Sequence, residues 1–307
     1  METIAVIGFG DMGEQMVPHL LGAGHAVRVY DVDAARLRSA EEAGADVCGT
    51  AADAARGAGI TLGLVMSDDI PSAYFGGDGI LAGARPGSFV LVCSTTTPAI
   101  LDSVAAAAPE GVTIVDTPIV GGVKYARDRG ITFLVGATQN AFASVRPALE
   151  VLGHVKYVGA FGSGVAYKLI TNVAIMAAEA GLREALDLAD LLGKDYGTAL
   201  ELMSVGPMAP VVARALDTTN PRPLRRSAED DDTLLSSVED PPSQLPISYA
   251  GAARLWEAVN AVDGFEPDFV DLTREVTARP RFQNRQNSPS SSLPRRLPGR
   301  RARKDAS

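Results

Sequence analysis

Two sets of residues in this 307-residue chain have types and spacings that can do chemistry. Lys168 and Asn172 stand four apart near the start of residues 162–192, a proline-free stretch with apolar residues at helical spacing. One long helix is predicted there, and both side chains project from one of its faces. Its apolar positions, Val165, Leu169, Val173, Ile175, Met176, Leu182, Leu186 and Leu188, spread over most of the circumference. That pattern predicts a helix buried on several sides, as between two domains. A lysine there is held at a cleft where proton transfer is shielded from water. The alternative is that Lys168 snorkels to solvent and Asn172 is an ordinary surface residue.

The second set is Gly8-Phe9-Gly10-Asp11-Met12-Gly13, directly after an apolar strand at residues 3–7. A helix predicted over residues 14–21 follows, with Pro18 tolerated near its first turn or at a kink. Strand, glycine turn and helix are the context of a dinucleotide fingerprint. Gly8 permits the tight turn, Gly10 lets backbone approach a pyrophosphate, and Gly13 allows close helix–strand packing. The free N–H groups of the helix start face the phosphates. A second strand, residues 26–30, ends in Asp31, placed to accept adenosine ribose hydroxyls and to repel a 2′-phosphate. Asp31 may equally cap the helix that begins near Ala34. NAD is the expected cofactor in preference to NADP, with Arg36 the residue that opposes that preference.

Strands and helices continue to alternate through residues 46–93, which predicts an α/β fold with a doubly wound parallel sheet. Loops at the carboxyl ends of such strands, at Val65-Met66 and Ser94-Thr95, then lie along the bound dinucleotide. After the strand at residues 112–115 come Val120, Gly121 and Gly122. The paired glycines form a turn whose N–H groups can hold an anionic substrate.

Composition bounds the rest. Cys48 and Cys93 form neither a disulfide framework nor a metal-ligand cluster, so no metal is expected. The first residues enter a strand directly, without a secretory leader. No apolar run is expected to span a bilayer, because the long helix carries Glu179, Arg183 and Glu184. The expectation is a soluble cytoplasmic protein without a membrane partner. Of 28 Lys/Arg and 37 Asp/Glu, nine basic residues and only Asp305 among the acids lie from Arg279 onward. The remaining body is strongly acidic, which argues against nucleic acid as its partner. The basic tail, residues 279–307, is rich in Pro, Ser and Arg and is expected to be disordered.

GFGDMG, STTTP, DTPIVGG with the ARDRGI that follows, and GSGVAYKLITN occur in an order that resembles the β-hydroxyacid dehydrogenases. The resemblance runs from Thr3 to about Leu192. It implies an N-terminal Rossmann domain (1–161), a long interdomain helix and an all-helical C-terminal domain (162–278) often used to form dimers or tetramers. It also implies hydride transfer between a nicotinamide and a small hydroxy acid, semialdehyde or related carbonyl. By resemblance Lys168 is the general acid/base and Asn172 orients substrate. Gly121 and Gly122 hold its carboxylate, and Thr95 lies by the nicotinamide.

Two departures bear on the substrate. Val120 stands where the family usually has serine, removing a hydroxyl donor worth about 1.5–3 kcal/mol to a charged group. Asp231-Asp232 stands where the family has a Lys-Asp pair, reversing the local charge. Both favour a less acidic substrate, so an imine or neutral-ketone reductase is the alternative enzyme. A dinucleotide-binding protein without turnover is the reading from another class. In the C-terminal part, helices are predicted at residues 196–204 and 248–262, with Trp256 at a packing face. One helix near residues 233–238 is predicted inside an otherwise irregular, charge-rich segment to which no chemistry is assigned.

Overall fold

The structure is a computed structural model and describes residues 2–279. Nine strands form its sheet: β1 (Thr3–Ile7), β2 (Ala26–Tyr30), β3 (Asp46–Val47), β4 (Ile60–Gly63), β5 (Phe89–Val92), β6 (Thr113–Asp116), β7 (Ile119–Val120), β8 (Ile131–Gly136) and β9 (Gly153–Gly159). Their order is β3-β2-β1-β4-β5-β6-β8-β7, with β9 added to β8. From β3 to β6 all pairs are parallel; β8 runs antiparallel to β6 and β7 and parallel to β9. β1 and β4 are apolar almost throughout because both faces of a parallel sheet are covered. The strand order reverses at β1, between β2 and β4. The crevice beyond the carboxyl ends of the strands therefore opens next to Gly8.

The helix after the glycine turn runs over Asp11–Gly22, earlier than predicted, with Pro18 inside it. Asp11, Met12 and Gly13 thus form its first turn, with N–H groups pointing at the crevice. Val165, Leu169 and Met176 of the long helix pack with Ala5, Ile7, Val90 and Val92 on one face of the sheet. Its later residues Ala180, Leu182 and Leu186 belong instead to a core of C-terminal helices. The helix spans Ser163–Leu192 and ends at Gly193, whose φ of 61° is the left-handed conformation that glycine adopts without strain.

One expectation about this helix is corrected. It is not buried all round: Ile170, Leu188, Leu191 and Leu192 are exposed along one side, and Ile175 is exposed on another. Nor do its charges disqualify it from membrane-crossing length and composition, which it meets. Glu179, Arg183 and Asp187 lie on its inner side, buried against the C-terminal chain.

The C-terminal part also differs from its predicted form. Helices occupy Tyr196–Ser204 and Pro246–Asn260 as predicted within about two residues. A further helix, Ala209–Leu216, was not foreseen. The segment expected to be mostly irregular is a helix over Leu224–Leu235. Its buried positions are Leu224, Ser227, Ala228, Asp231 and Leu234, a regular helical face. A serine and an aspartate on that face hide the apolar period, so the segment reads as a solvated charge run. Trp256 donates its indole N–H to Asp232 at 3.0 Å beneath the Arg225 guanidinium. The expectation for the basic tail falls, apart from Arg279, outside the described residues.

Candidate active site

The glycine turn is fixed by close approach. Gly8 has φ of +99°, and a Cβ there would lie 2.6 Å from the Leu64 carbonyl oxygen. A Cβ on Gly13 would lie 2.3 Å from the Gly8 oxygen, so the helix can enter only without a side chain. Asp31 is buried at the end of β2, where Oδ2 accepts the Phe9 N–H at 2.7 Å and Oδ1 accepts the Asp33 N–H at 2.9 Å. The cap of the next helix is Asp33, which accepts from Ala35 at 2.7 Å. Asp31 therefore ties β2 to the glycine turn, and capping is done by its neighbour. Arg36 Nη1 lies 3.9 Å from Asp31 Oδ2 and would meet a Cβ on Gly10 at 2.8 Å. A guanidinium thus leans over the turn where dinucleotide phosphates or a 2′-phosphate belong.

Val65 and Met66 leave β4 partly exposed, and the Ser94 hydroxyl donates to the Val65 carbonyl at 2.6 Å. Thr95 is partly exposed one residue farther, at the carboxyl end of β5. The cradle that small residues, an open helix start and these loops form is one that a dinucleotide fits.

Lys168 and Asn172 share one face of the long helix. Lys168 is partly exposed; Asn172 is 2% exposed, and its Nδ2 has no partner among the described residues. Burial lowers the Lys168 pKa, Asp230 and Glu179 oppose that, and Arg222 adds to it. A lysine held below its ordinary value gives up its proton more readily than a free one. One turn earlier, Asp116 at the end of β6 accepts the Val165 N–H at 3.0 Å and 3.1 Å through its two oxygens. Burial pushes Asp116 up to about 6 against those bonds. Cβ atoms on Gly136 or Gly164 would lie 2.7 and 2.8 Å from its carboxylate, so both backbones close around it. Asp116 joins the sheet to the start of the lysine helix, a role that escaped the sequence reading, although an acid closing an apolar strand was its signal.

Val120 lies on the short edge strand β7 opposite Thr132. The turn beyond it is covered from the C-terminal side. Asn220 is buried, its Oδ1 accepts the Lys124 N–H at 3.2 Å, and a Cβ on Gly122 would lie 3.0 Å from that oxygen. Lys124 Nζ pairs with Asp217 at 3.0 Å. Farther along the lysine face, Glu179 and Asp231 are buried together. Burial first, then neighbouring acids, pushes Asp231 up to about 8, and burial pushes Glu179 up to about 7. The concavities lined by Ala105, Thr138 and Phe161 and by Asp190, Tyr196 and Arg274 lie away from these residues.

Residues 3–162 match the family described as the NAD binding domain of 6-phosphogluconate dehydrogenase. The chain is 35% identical over 206 residues to a 3-hydroxyisobutyrate dehydrogenase of Pseudomonas aeruginosa, covering 66% of this chain and 69% of that one. The chain belongs to the β-hydroxyacid dehydrogenase family. It is 33% identical over the same length to an NAD-dependent L-serine dehydrogenase of Pseudomonas aeruginosa, again over 66% and 69% of the two chains. In fold it is similar to a Mycobacterium tuberculosis 3-hydroxyisobutyrate dehydrogenase solved with L-serine, with a TM-score of 0.74 and 24% identity over 89% of this chain and 98% of that one. A Myxococcus stipitatus imine reductase solved with NADP+ is similar at a TM-score of 0.62, with 20% identity over 89% and 99%.

As a β-hydroxyacid dehydrogenase family member the protein is an NAD(P)-dependent oxidoreductase of a small-molecule substrate. The glycine turn faces an amide oxygen from Asn220, and the helix Leu224–Leu235 carries Asp231 on its buried face. Glu179, Arg222 and Asn220 were not singled out from the sequence. Glu179 carried a signal, since it lies eleven residues after Lys168 and so returns to the same helix face.

Proposed function

We propose that the protein transfers hydride between a nicotinamide and the carbinol or carbonyl carbon of a small hydroxy or oxo compound, with Lys168 as general acid/base. The observation that carries this reading is Lys168 and Asn172 on one face of the long helix, directly after the Asp116 anchor at the carboxyl ends of the strands. NAD(P) supplies the hydride acceptor or donor when bound. Gly8, Gly10 and Gly13 admit its pyrophosphate, with Phe9, Asp11 and Met12 supplying backbone around it. Asp31 and Arg36 line the adenosine side, and Val65, Met66 and Thr95 the path toward the nicotinamide. Lys168 Nζ takes the hydroxyl proton in oxidation and returns it in reduction, while Asn172 donates its unpartnered N–H to the substrate oxygen. Val120, Gly121 and Gly122 form the wall beyond the reacting carbon.

Residues 1–161 are the nucleotide-binding part and 162–278 the helical part in this reading. The exposed apolar side of the long helix supports a homo-oligomer, dimer or tetramer. A second reading, reduction of a neutral ketone or imine on the same scaffold, is favoured by Val120 and by Asn220 at the glycine turn.

Initial rates of wild type and Lys168→Ala with NAD(H) and NADP(H) distinguish the readings on a panel of 3-hydroxy acids, semialdehydes, neutral ketones and cyclic imines. Activity on a hydroxy or oxo compound that is lost in Lys168→Ala supports the first. Activity on cyclic imines alone, or independent of Lys168, sinks it.

A further inference from the structure

Beyond Lys168 on the long helix lies buried acid with no direct ion pair among the described residues. Glu179 follows Lys168 by eleven residues, three turns along the same face of the long helix. Asp231, on the helix packed against it, is fully buried, and neither of its carboxylate oxygens has a partner among the described residues. Ser227, one turn before Asp231, lies against Glu179, and its buried Oγ also lacks a well-formed hydrogen bond. Three cations act on these acids from farther off: Arg222 pairs with Asp230, Arg214 lies 4.5 Å over the Phe269 ring with its Nη1 unpartnered among the described residues, and Lys168 is the proposed acid/base. Among the described residues no ion pair within 4.0 Å reaches Glu179 or Asp231.

Buried polar atoms without partners are uncommon in native proteins, and a buried carboxylate without one is costly. A group with several N–H donors and one positive charge satisfies all of these oxygens together. A carboxylate does the opposite, since it brings another negative charge to the same place. The far wall agrees independently. Val120 offers no hydroxyl, and the Asn220 amide oxygen faces Gly122 where a carboxylate would sit.

We propose that the substrate carries a protonated amine at its non-reacting end, seated on Asp231, Glu179 and Ser227. This rests on the oxidoreductase reading above and names its substrate class, a small amino alcohol or the corresponding amino carbonyl compound. In oxidation the carbinol C–H leaves as hydride to NAD(P)+, and the hydroxyl O–H proton goes to Lys168 Nζ. The products are the amino carbonyl compound, NAD(P)H and that proton. The amine is untouched and serves only to orient the chain. The same chemistry is offered by free ammonium or potassium, and the test separates the two sources.

The test compares 3-aminopropan-1-ol, propan-1-ol and 3-hydroxypropanoate as substrates. Calorimetry of propylammonium and propanoate with the NAD(P)-loaded protein gives binding apart from turnover. The expected result is a kcat/KM for the amino alcohol at least tenfold above that for the hydroxy acid. In Asp231→Asn the ratio of amino to neutral alcohol falls at least tenfold, and propylammonium binding is lost. Glu179→Gln gives the same ratio change should Asp231→Asn fail to fold. Hydroxy acid preferred by wild type, or an amine preference untouched in both variants, overturns the inference. So does saturable activation of propan-1-ol oxidation by ammonium or potassium chloride, which assigns the oxygens to a free cation. Lys168-dependent turnover of hydroxy acid alone leaves the oxidoreductase reading standing while the amine site falls. Asp231-dependent propylammonium binding without turnover of any substrate has the reverse meaning.

Discussion

Two groups of buried charge share one side of the long helix, a single turn apart, and they are built in opposite ways. At Arg183 and Asp187 each charge has an opposite charge in contact, although Arg183 Nε and Arg254 Nη1 form no hydrogen bond among the described residues. Arg183, fully buried, donates to the Leu272 and Arg274 carbonyls at 2.9 Å each and to Tyr196 at 2.8 Å, and lies 3.3 Å from Asp187. Arg254 donates to both Asp187 oxygens, at 2.6 and 2.8 Å. Burial raises Asp187, but the Arg254 bond and charge outweigh it and hold the carboxyl below its ordinary value. At Glu179 burial outweighs the charges of Arg222 and Arg214, at Asp231 burial and neighbouring acids outweigh Arg222, and both carboxyls rise. The first group closes the helical core; in the second, three turns along the helix from Lys168, the carboxyls have no ion pair among the described residues. It is these carboxyls that the proposed ammonium group would answer.

The comparison can be broken most severely at Asp187. Replacing it with alanine strands two buried guanidinium groups and is expected to cost about 3–5 kcal/mol in urea unfolding. Asp231→Asn removes a charge that has no partner, and it is expected to leave stability at pH 8 unchanged or raised. Equal losses at the two positions contradict the distinction.

The pH dependence of stability sharpens it. Asp231 and Glu179 have folded pKa values above those of the unfolded chain, so the folded state keeps protons that the unfolded state has lost. Their stabilising effect is complete below about pH 4, the unfolded carboxyl value. It is lost as pH rises toward about 8, where Asp231 ionises in the folded state. Urea midpoints of the ligand-free protein are expected to fall across that window, and Asp231→Asn is expected to flatten the slope. A rising midpoint from pH 4 to pH 8 contradicts the assignment.

A smaller effect is expected at Val120. Val120→Ser restores a hydroxyl beside the glycine turn and is expected to raise kcat/KM for a 3-hydroxy acid by about tenfold. Unchanged or lower kcat/KM means that the Asn220 oxygen, not the missing hydroxyl, sets the preference. The smallest expected change is at Arg36. Because this guanidinium is well exposed, Arg36→Ala is expected to weaken NADP(H) relative to NAD(H) by no more than about fivefold in measured Kd.

How much was legible in the chain follows from where polarity sits. The glycine turn, Asp31 and the strand alternation declare themselves because the parallel sheet needs uninterrupted apolar strands and the turn needs residues without side chains. Lys168 and Asn172 are readable from their spacing, since i and i+4 on a helix share a face. The helix over Leu224–Leu235 is not legible in the sequence because its buried face includes the polar residues Ser227 and Asp231. Asp116 and Asn220 escaped for another reason, since both act on backbone N–H groups far along the chain, 49 and 96 residues away. No local pattern records such contacts.

The central claim is that Lys168 carries the proton, and chemical rescue tests it most directly. Lys168→Ala is assayed with the best substrate of the wild type while methylamine, ethylamine and other small amines of graded pKa are added. The account predicts a rate about 10²- to 10⁴-fold below wild type without amine. It also predicts a saturable recovery whose extent follows the pKa of the added amine. A variant that retains most of the wild-type rate, or one that amines of every pKa leave unrecovered while substrate and cofactor still bind, contradicts it.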